Sequence, residues 1–160
     1  MSVRYRFEPK ASDLDAVARM LALTGVFTER EIVVAKELIE DRINHGGQSE
    51  YHFVFAEADG ALAGYVCYGP ITITEDRYDL YWIATDPGHE RRGIARGLMA
   101  EAERIMRGEG CAIVYVDTSS RDVYDKARGF YASCGYEVAA TVRDYFADRD
   151  SKVIYAKRLG

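Results

Sequence analysis

Hydrophobic and polar residues alternate in several short segments of the chain, which is the two-residue period of a half-buried strand. The first such segment covers residues 3–7 and stops at Pro9, a residue that cannot donate to a strand ladder. Residues 51–70 hold two more segments, joined at Asp59-Gly60. An Asp-Gly pair between two alternating runs predicts a tight β-hairpin.

The second half of the chain adds further strand-like segments, rich in aromatic and β-branched residues. They predict strands over residues 78–85, 111–118, 136–142 and 152–159. Residues 111–118 are almost continuously apolar, which is typical of a strand covered on both faces. The polar residues 143–150 predict a loop between the last two strands.

Other segments have the longer apolar period of amphipathic helices. Ser12 and Asp15 are spaced as a capping box at the start of the first helix, and Thr28 and Glu31 repeat that spacing at the second. The helices are expected over residues 12–25, over residues 28–44, from within residues 90–99 to about residue 108, and over residues 122–135.

The element order is therefore β-α-α-β-β-β-α-β-α-β-β, with no repeat or linker. This order predicts one α/β (α+β) domain over residues 1–160, built from a mixed sheet of about seven strands with four helices on its two faces. At 160 residues, 48% of them hydrophobic, the chain is long enough to bury one core.

Charge and composition narrow the functional classes. The net charge of −5 and a pI near 5.3 disfavour a nucleic-acid partner. No apolar run approaches 18 residues and the N-terminal residues contain no apolar h-region, so we expect neither a membrane partner nor secretion, and expect a cytoplasmic protein. The three cysteines are far apart and the three histidines lack ligand spacing, so reduced thiols and no metal site are expected.

Residues 90–99, ERRGIARGLM, combine three arginines with small residues at a strand-to-helix transition. Gly93 and Ala95 would let a ligand approach the backbone, and the N–H groups of a first helical turn favour an anion such as a phosphate. A tight turn with solvated arginines is the alternative interpretation. The stretch lacks the Gly-Lys-Ser/Thr of a P-loop, and it follows a fourth strand rather than the first strand of a Rossmann unit.

Two motifs in this order resemble the GNAT superfamily of acyl-CoA-dependent N-acyltransferases, and the resemblance covers nearly the whole chain. Residues 90–95 are similar to its [Q/R]-x-x-G-x-[G/A] signature, matching at Gly93 and Ala95 and departing at Glu90. A second family motif corresponds to residues 124–136. There Tyr124 replaces the usual Asn, and the matching positions are Ala127, Phe130, Tyr131, Gly135 and Tyr136.

The resemblance implies a mostly antiparallel sheet whose fourth and fifth strands splay apart around acetyl-CoA. The pyrophosphate of acetyl-CoA would be held by main-chain N–H groups of the Gly93 turn. The pantetheine arm would bind along the fourth strand. The implied cofactor-binding residues are Ile83, Ala84, Thr85, Arg91, Arg92, Gly93, Ile94, Ala95 and Arg96.

The resemblance also implies a reaction, the direct transfer of the acetyl group to a primary amine. Tyr131 resembles the family's general acid, although a tyrosine buried by its ring is an alternative. Asp117 ends the fifth strand, where some members carry a base; a strand-end carboxylate is the alternative. The acceptor would be a small-molecule or peptide amine, and a homodimer is compatible with the sequence. The rival function is a non-catalytic acyl-CoA-binding domain.

Overall fold

A computed structural model describes residues 2–160, in which seven strands and four helices follow the predicted order. The strands are Val3–Arg6 (β1), His52–Ala58 (β2), Ala61–Pro70 (β3), Arg77–Thr85 (β4), Ile113–Ser119 (β5), Glu137–Ala147 (β6) and Asp150–Arg158 (β7). The helices are Ser12–Thr24 (α1), Glu29–His45 (α2), Ile94–Gly108 (α3) and Asp125–Ser133 (α4). No helix within residues 2–160 is long and apolar enough to cross a lipid bilayer.

All seven strands form one sheet in the order β1-β2-β3-β4-β5-β7-β6. Every neighbouring pair is antiparallel except β4 and β5, which are parallel. That exception follows from the chain path, because α3 carries the chain back along the sheet between these two strands. The expected fold class, a mixed and mostly antiparallel seven-stranded sheet with four helices, is confirmed.

Each face of the sheet has its own apolar core. On one face, which we call the α2 face, Val17 of α1 and Ile39 of α2 are fully buried against aromatic side chains of β2 and β3. On the other, the α3 face, Leu98 and Met106 of α3 pack with Val114 of β5 and with residues of α4. Alternating strand residues supply the two cores, as the sequence period predicts.

A glycine lets α3 lie unusually close to the sheet. A methyl group at Gly64 of β3 would come within 2.8 Å of the Ala84 carbonyl oxygen and 3.0 Å of Ile94 Cγ2. Only a residue without a side chain fits between β4 and the first turn of α3. The start of α3 is therefore held against the end of β4.

The two capping predictions have different outcomes. In α2, Glu31 N–H donates to Thr28 Oγ1 and Thr28 N–H donates to the Glu31 carboxylate, so that capping box is confirmed. The box predicted for α1 is wrong, because no side-chain cap is present there. Instead, the Asp13 carboxylate accepts a hydrogen bond from Lys10 N–H at 2.8 Å and forms an ion pair with Arg6.

Two strand predictions need correction. Residues 143–150 are not a loop, because β6 continues to Ala147 and β7 begins at Asp150, which leaves only a tight turn between them. The β5 strand is not covered on both faces. Val114 and Val116 are buried on the α3 face, whereas Tyr115 and Asp117 alternate with them onto the α2 face, where Asp117 is exposed. The two helices on that face pack over β2, β3 and β4.

Candidate active site

The parallel strands β4 and β5 are paired only where they begin. Their register pairs are Arg77 with Ile113, Tyr78 with Val114 and Asp79 with Tyr115, and no later pair joins them within residues 2–160. Both strands continue, β4 paired with β3 and β5 paired with β7. A gap thus opens between residues 80–85 and residues 116–119. We call it the β4–β5 gap. Peptide groups on its two edges have no strand partner and are available to a ligand.

A β-bulge changes the direction of the β4 side chains beside the gap. Tyr68 of β3 pairs with Leu80 and Cys67 pairs with Trp82, so Tyr81 is an extra residue. Consequently Tyr81 and Trp82 both pack on the α2 face, and Leu80 packs on the α3 face. Bulges of this kind re-aim side chains next to functional sites.

The turn after β4 presents main-chain N–H groups. Arg91 and Gly93 both have left-handed backbones, with φ of 63° and 76°. The first helical hydrogen bond of α3 runs from Gly97 N–H to the Gly93 carbonyl, so the N–H groups of residues 94–96 have no intrahelical acceptor. No atom outside the turn lies within 4 Å of the position that a Gly93 Cβ would take. The turn is an open concavity at a positive helix end, which favours an anion.

Two of the three arginines are held beside this turn by the protein itself. Arg92 lies 3.2 Å from the Asp59 carboxylate of the β2–β3 hairpin. Arg96 donates to Ser133 Oγ of α4 at 3.1 Å. These contacts fix the turn between the hairpin and α4 and keep positive charge at its rim.

Glu90, the departure from the family signature, also has a partner. Its carboxylate lies 2.8 Å from Lys126 Nζ at the start of α4. Both side chains are exposed, so the pair contributes about 1 kcal/mol or less. The substitution adds a link to α4 and leaves the main-chain concavity intact.

Tyr131 of α4 lies on the α3 face and is only 6% exposed. Its ring is surrounded by those of Phe130, Tyr136 and Tyr155, with centroids 5.9–6.2 Å away. Burial raises the pKa of Tyr131, so the phenol stays protonated at neutral pH. Within residues 2–160 its hydroxyl makes no hydrogen bond, which leaves a donor for a ligand.

Two carboxylates lie where β4 and β5 separate, on the α2 face. Asp117 is exposed and lies 3.2 Å from Lys152 Nζ of β7. Asp79 is half-buried, and no ion pair or hydrogen bond of its side chain is found within residues 2–160. Burial, and then repulsion from Asp117, raise the pKa of Asp79, whereas Lys152 acts in the opposite direction. Asp79 is not among the residues that the sequence motifs predict; its signal in the sequence is a lone carboxylate within an aromatic strand.

A cleft of about 670 Å³ opens beside the bulge on the α2 face. It lies between the first turns of α2, the β4 strand and the end of β6. Its lining residues, which define what we call the Trp82 cleft, are Thr28, Arg30, Glu31, Val34, Trp82 and Phe146. Neither Trp82 nor Phe146 was singled out from the sequence, since aromatic residues in strands are usually packing residues.

The arrangement matches one known family. Residues 20–136 match the acetyltransferase (GNAT) family, which is most of the chain. The chain belongs to this family. The separation of β4 and β5 is the one that the sequence resemblance implies.

Comparison with individual GNAT proteins gives the following relatives. The N-alpha-acetyltransferase RimI of Mycobacterium tuberculosis is 30% identical over 96 residues, which cover 59% of this chain and 58% of RimI. The match thus spans little more than half the length of that relative. A solved GNAT-family structure from Desulfovibrio desulfuricans is 37% identical with a TM-score of 0.97, covering 99% of this chain and 100% of that one. PaiA N-acetyltransferase from Thermoplasma acidophilum, solved with coenzyme A, is 21% identical with a TM-score of 0.74, covering 99% of each chain.

The structure brings most of the predicted residues to one region. Residues 83–85 form the β4 edge of the gap, and residues 91–96 form the turn that follows it. Asp117 lies on the β5 edge, on the α2 face. Tyr131 lies on the opposite face of the sheet, so the candidate acid and the candidate base are on opposite sides of the gap.

Proposed function

We propose that this protein is an N-acetyltransferase that transfers the acetyl group of acetyl-CoA directly to a primary amine. The main support for the proposal is the β4–β5 gap together with the open Gly93 turn, which comes directly after β4 in the chain. A gap with unpaired strand edges suits an extended arm rich in amides, and the turn beyond it suits a pyrophosphate. The two sites follow one another along β4 and α3, in the order that the parts of acetyl-CoA require.

Each part of the co-substrate has residues that fit it. The N–H groups of residues 91–96 would bind the pyrophosphate, with Arg91, Arg92 and Arg96 adding positive charge. The strand edge at Ile83, Ala84 and Thr85 would bind the pantetheine arm through main-chain groups, which leaves the side chains free to pack. The PaiA structure with coenzyme A supports this use of the fold.

The chemistry needs one proton removed and one supplied. The amine nitrogen forms a bond to the thioester carbonyl carbon while the carbon–sulfur bond breaks. We assign the proton of the amine to the Asp79–Asp117 pair, because the raised pKa of Asp79 brings it closer to neutral pH. We assign the proton of the departing thiolate to Tyr131, whose hydroxyl has no other partner within the described chain.

The acceptor is a small-molecule or peptide amine that reaches the gap from the α2 face. Asp117 and the Trp82 cleft both lie on that face, where the helices of residues 2–160 pack over β2, β3 and β4 and leave β5 uncovered. The RimI relative is named an N-alpha-acetyltransferase, which supports a peptide amino group as one source. The three cysteines are free, which supports a reducing, cytoplasmic location.

An acceptor screen tests the proposal directly. Protein and acetyl-CoA are incubated with amino acids, polyamines, aminoglycosides or peptides, and free thiol and acetylated product are measured together. The proposal predicts thiol release that depends on an amine and equals the acetylated product. Binding of acetyl-CoA without transfer to any amine would favour the non-catalytic alternative. Thermal stabilisation by ATP and by no CoA ester would overturn the assignment; a ligand at about 100 times its Kd adds about 2.7 kcal/mol.

A further inference from the structure

One wall of the Trp82 cleft is a fixed indole ring. Trp82 Nε1 donates to the Tyr65 hydroxyl at 2.5 Å. Tyr65 is itself fully buried, and its ring stacks on Phe55 at 5.8 Å. The hydrogen bond and the stacked rings together hold the indole in one orientation. Trp82 thus presents a preorganised flat surface to the cleft.

The opposite walls expose apolar side chains to water. Phe146 of β6 is 51% exposed and Val34 of α2 is 39% exposed, although they come from distant parts of the sequence. Neither residue is needed to fill a core, and apolar surface that converges on a cleft favours an apolar ligand.

A chain of contacts connects the cleft to the proposed proton acceptors. The rings of Phe146 and Tyr145 meet edge to face with centroids 5.0 Å apart. Lys152 Nζ lies 4.5 Å from the Tyr145 ring and 3.2 Å from the Asp117 carboxylate. The cleft is therefore connected to Asp117 through two intermediate side chains, those of Tyr145 and Lys152.

The two charged residues of the cleft do not favour a ligand that carries another charged group besides its amine. Arg30 and Glu31 have opposite signs, and the Glu31 carboxylate already accepts Thr28 N–H. The remaining lining, apart from the Thr28 hydroxyl, is aliphatic or aromatic. The volume of about 670 Å³ is that of a small-molecule site.

We propose that Trp82 and Phe146 determine acceptor specificity, selecting a primary amine with a flat or branched apolar group close to the nitrogen. The role of the amine rests on the proposed function, whereas binding in the cleft does not. Two sources share this chemistry: an arylalkylamine, and a peptide whose first residue has an apolar side chain. Both would place the apolar group against Trp82 and direct the nitrogen towards Asp79 and Asp117.

Fluorescence tests the occupant without relying on activity, because Trp82 is the single tryptophan of the chain. The CoA-bound protein is titrated with phenethylamine, a phenylalanine-initiated dipeptide, putrescine and glucosamine, with excitation that phenyl groups do not absorb. The proposal predicts a saturable change with phenethylamine or the dipeptide, and the tighter of the two identifies the source. Equal or tighter binding of putrescine or glucosamine would overturn it, as would no change with either apolar amine.

Variants then connect the cleft to turnover. Phe146→Ala should raise the Kd and KM of the preferred apolar amine by about tenfold or more, the scale of lost apolar contacts in specificity pockets. The matched control is Val138→Ala, which removes an exposed apolar side chain of the same strand, paired with Tyr155 far from the cleft. An unchanged Kd in Phe146→Ala would contradict the proposal. Failure of acetyl transfer to every amine, with normal fluorescence titrations, would instead reject only the proposed function.

Discussion

Asp79 of β4 lies opposite Tyr115 of β5, and this is the last residue pair that joins the two strands. Two residues further, β4 reaches its bulge at Tyr81, and the two strands separate. The half-buried carboxylate of Asp79 therefore marks the closed end of the β4–β5 gap. A separation of parallel strands, a bulge and a carboxylate with a raised pKa coincide within three residues of β4. Perturbed carboxylates of this kind concentrate at functional sites.

The first prediction concerns the Tyr131 hydroxyl. Tyr131→Phe should lower turnover by at least about tenfold, because general acid catalysis is typically worth 10²–10⁴-fold and a thiolate needs less help than most leaving groups. CoA affinity and Tm should hardly change, since the hydroxyl makes no hydrogen bond within the described chain. Tyr155→Phe, which alters a neighbouring buried ring, is the control. Full turnover in Tyr131→Phe with chemistry shown to be rate-limiting would make Tyr131 a packing residue.

The second prediction is a pH profile for Asp117→Asn. A carboxylate matters most while the amine is still protonated, so the loss of kcat/KM should be largest at low pH. This loss should become smaller as the pH approaches the pKa of a free alkylamine, about 10, because more of the amine is then already neutral. CoA affinity should be unchanged, because Asp117 lies on the α2 face, away from the Gly93 turn. A constant activity ratio at all pH values would assign the proton to another acceptor.

The third prediction separates the function of Asp79 from its effect on stability. Because its pKa is raised in the folded protein, the ionised carboxylate destabilises the fold above both the folded and unfolded pKa values. That penalty disappears as the pH falls below the unfolded pKa, near 4. Asp79→Asn should therefore raise the Tm at pH 7, have little effect at pH 3, and lower turnover. Calorimetry at the two pH values measures this, and a lower Tm at pH 7 would refute it.

The fold was predictable because its signals are local. The first three strands have apolar residues at alternate positions, and the Thr28–Glu31 box and the Asp59-Gly60 turn each depend on residues that are close together in the chain. The wrong predictions depend on contacts that the local pattern does not contain. Ser12 does not cap α1 because the helix already includes it, and the Asp13 carboxylate, paired with Arg6 of β1, accepts the Lys10 N–H instead. Residues 143–150 are mostly polar, but β6 continues through an irregularity after Val142 to Ala147, which pairs with Asp150 of β7.

The cofactor side of the site was more predictable than the acceptor side. The Gly93 turn lies within one stretch of sequence, so its chemistry can be read from adjacent residues. Trp82 and Phe146 line one cleft only because the bulge at Tyr81 turns the Trp82 side chain onto the α2 face and the end of β6 reaches the same cleft. A period-two pattern also assigns Tyr81 and Trp82 to opposite faces, whereas the bulge places both on the α2 face.

Calorimetric titration of acetyl-CoA into Gly93→Asp measures most directly whether the Gly93 turn binds the co-substrate. The new carboxylate would enter the open concavity and repel the pyrophosphate. The matched control is Gly110→Asp, because Gly110 is also left-handed, with φ of 89°, and also has open space where a Cβ would lie.

Both variants should lose about 1–2 kcal/mol of stability from the backbone conformation. The account predicts that acetyl-CoA binds the native protein and Gly110→Asp equally well and binds folded Gly93→Asp at least about a hundredfold more weakly, a difference of about 2.7 kcal/mol. Equal affinity in all three proteins would contradict it.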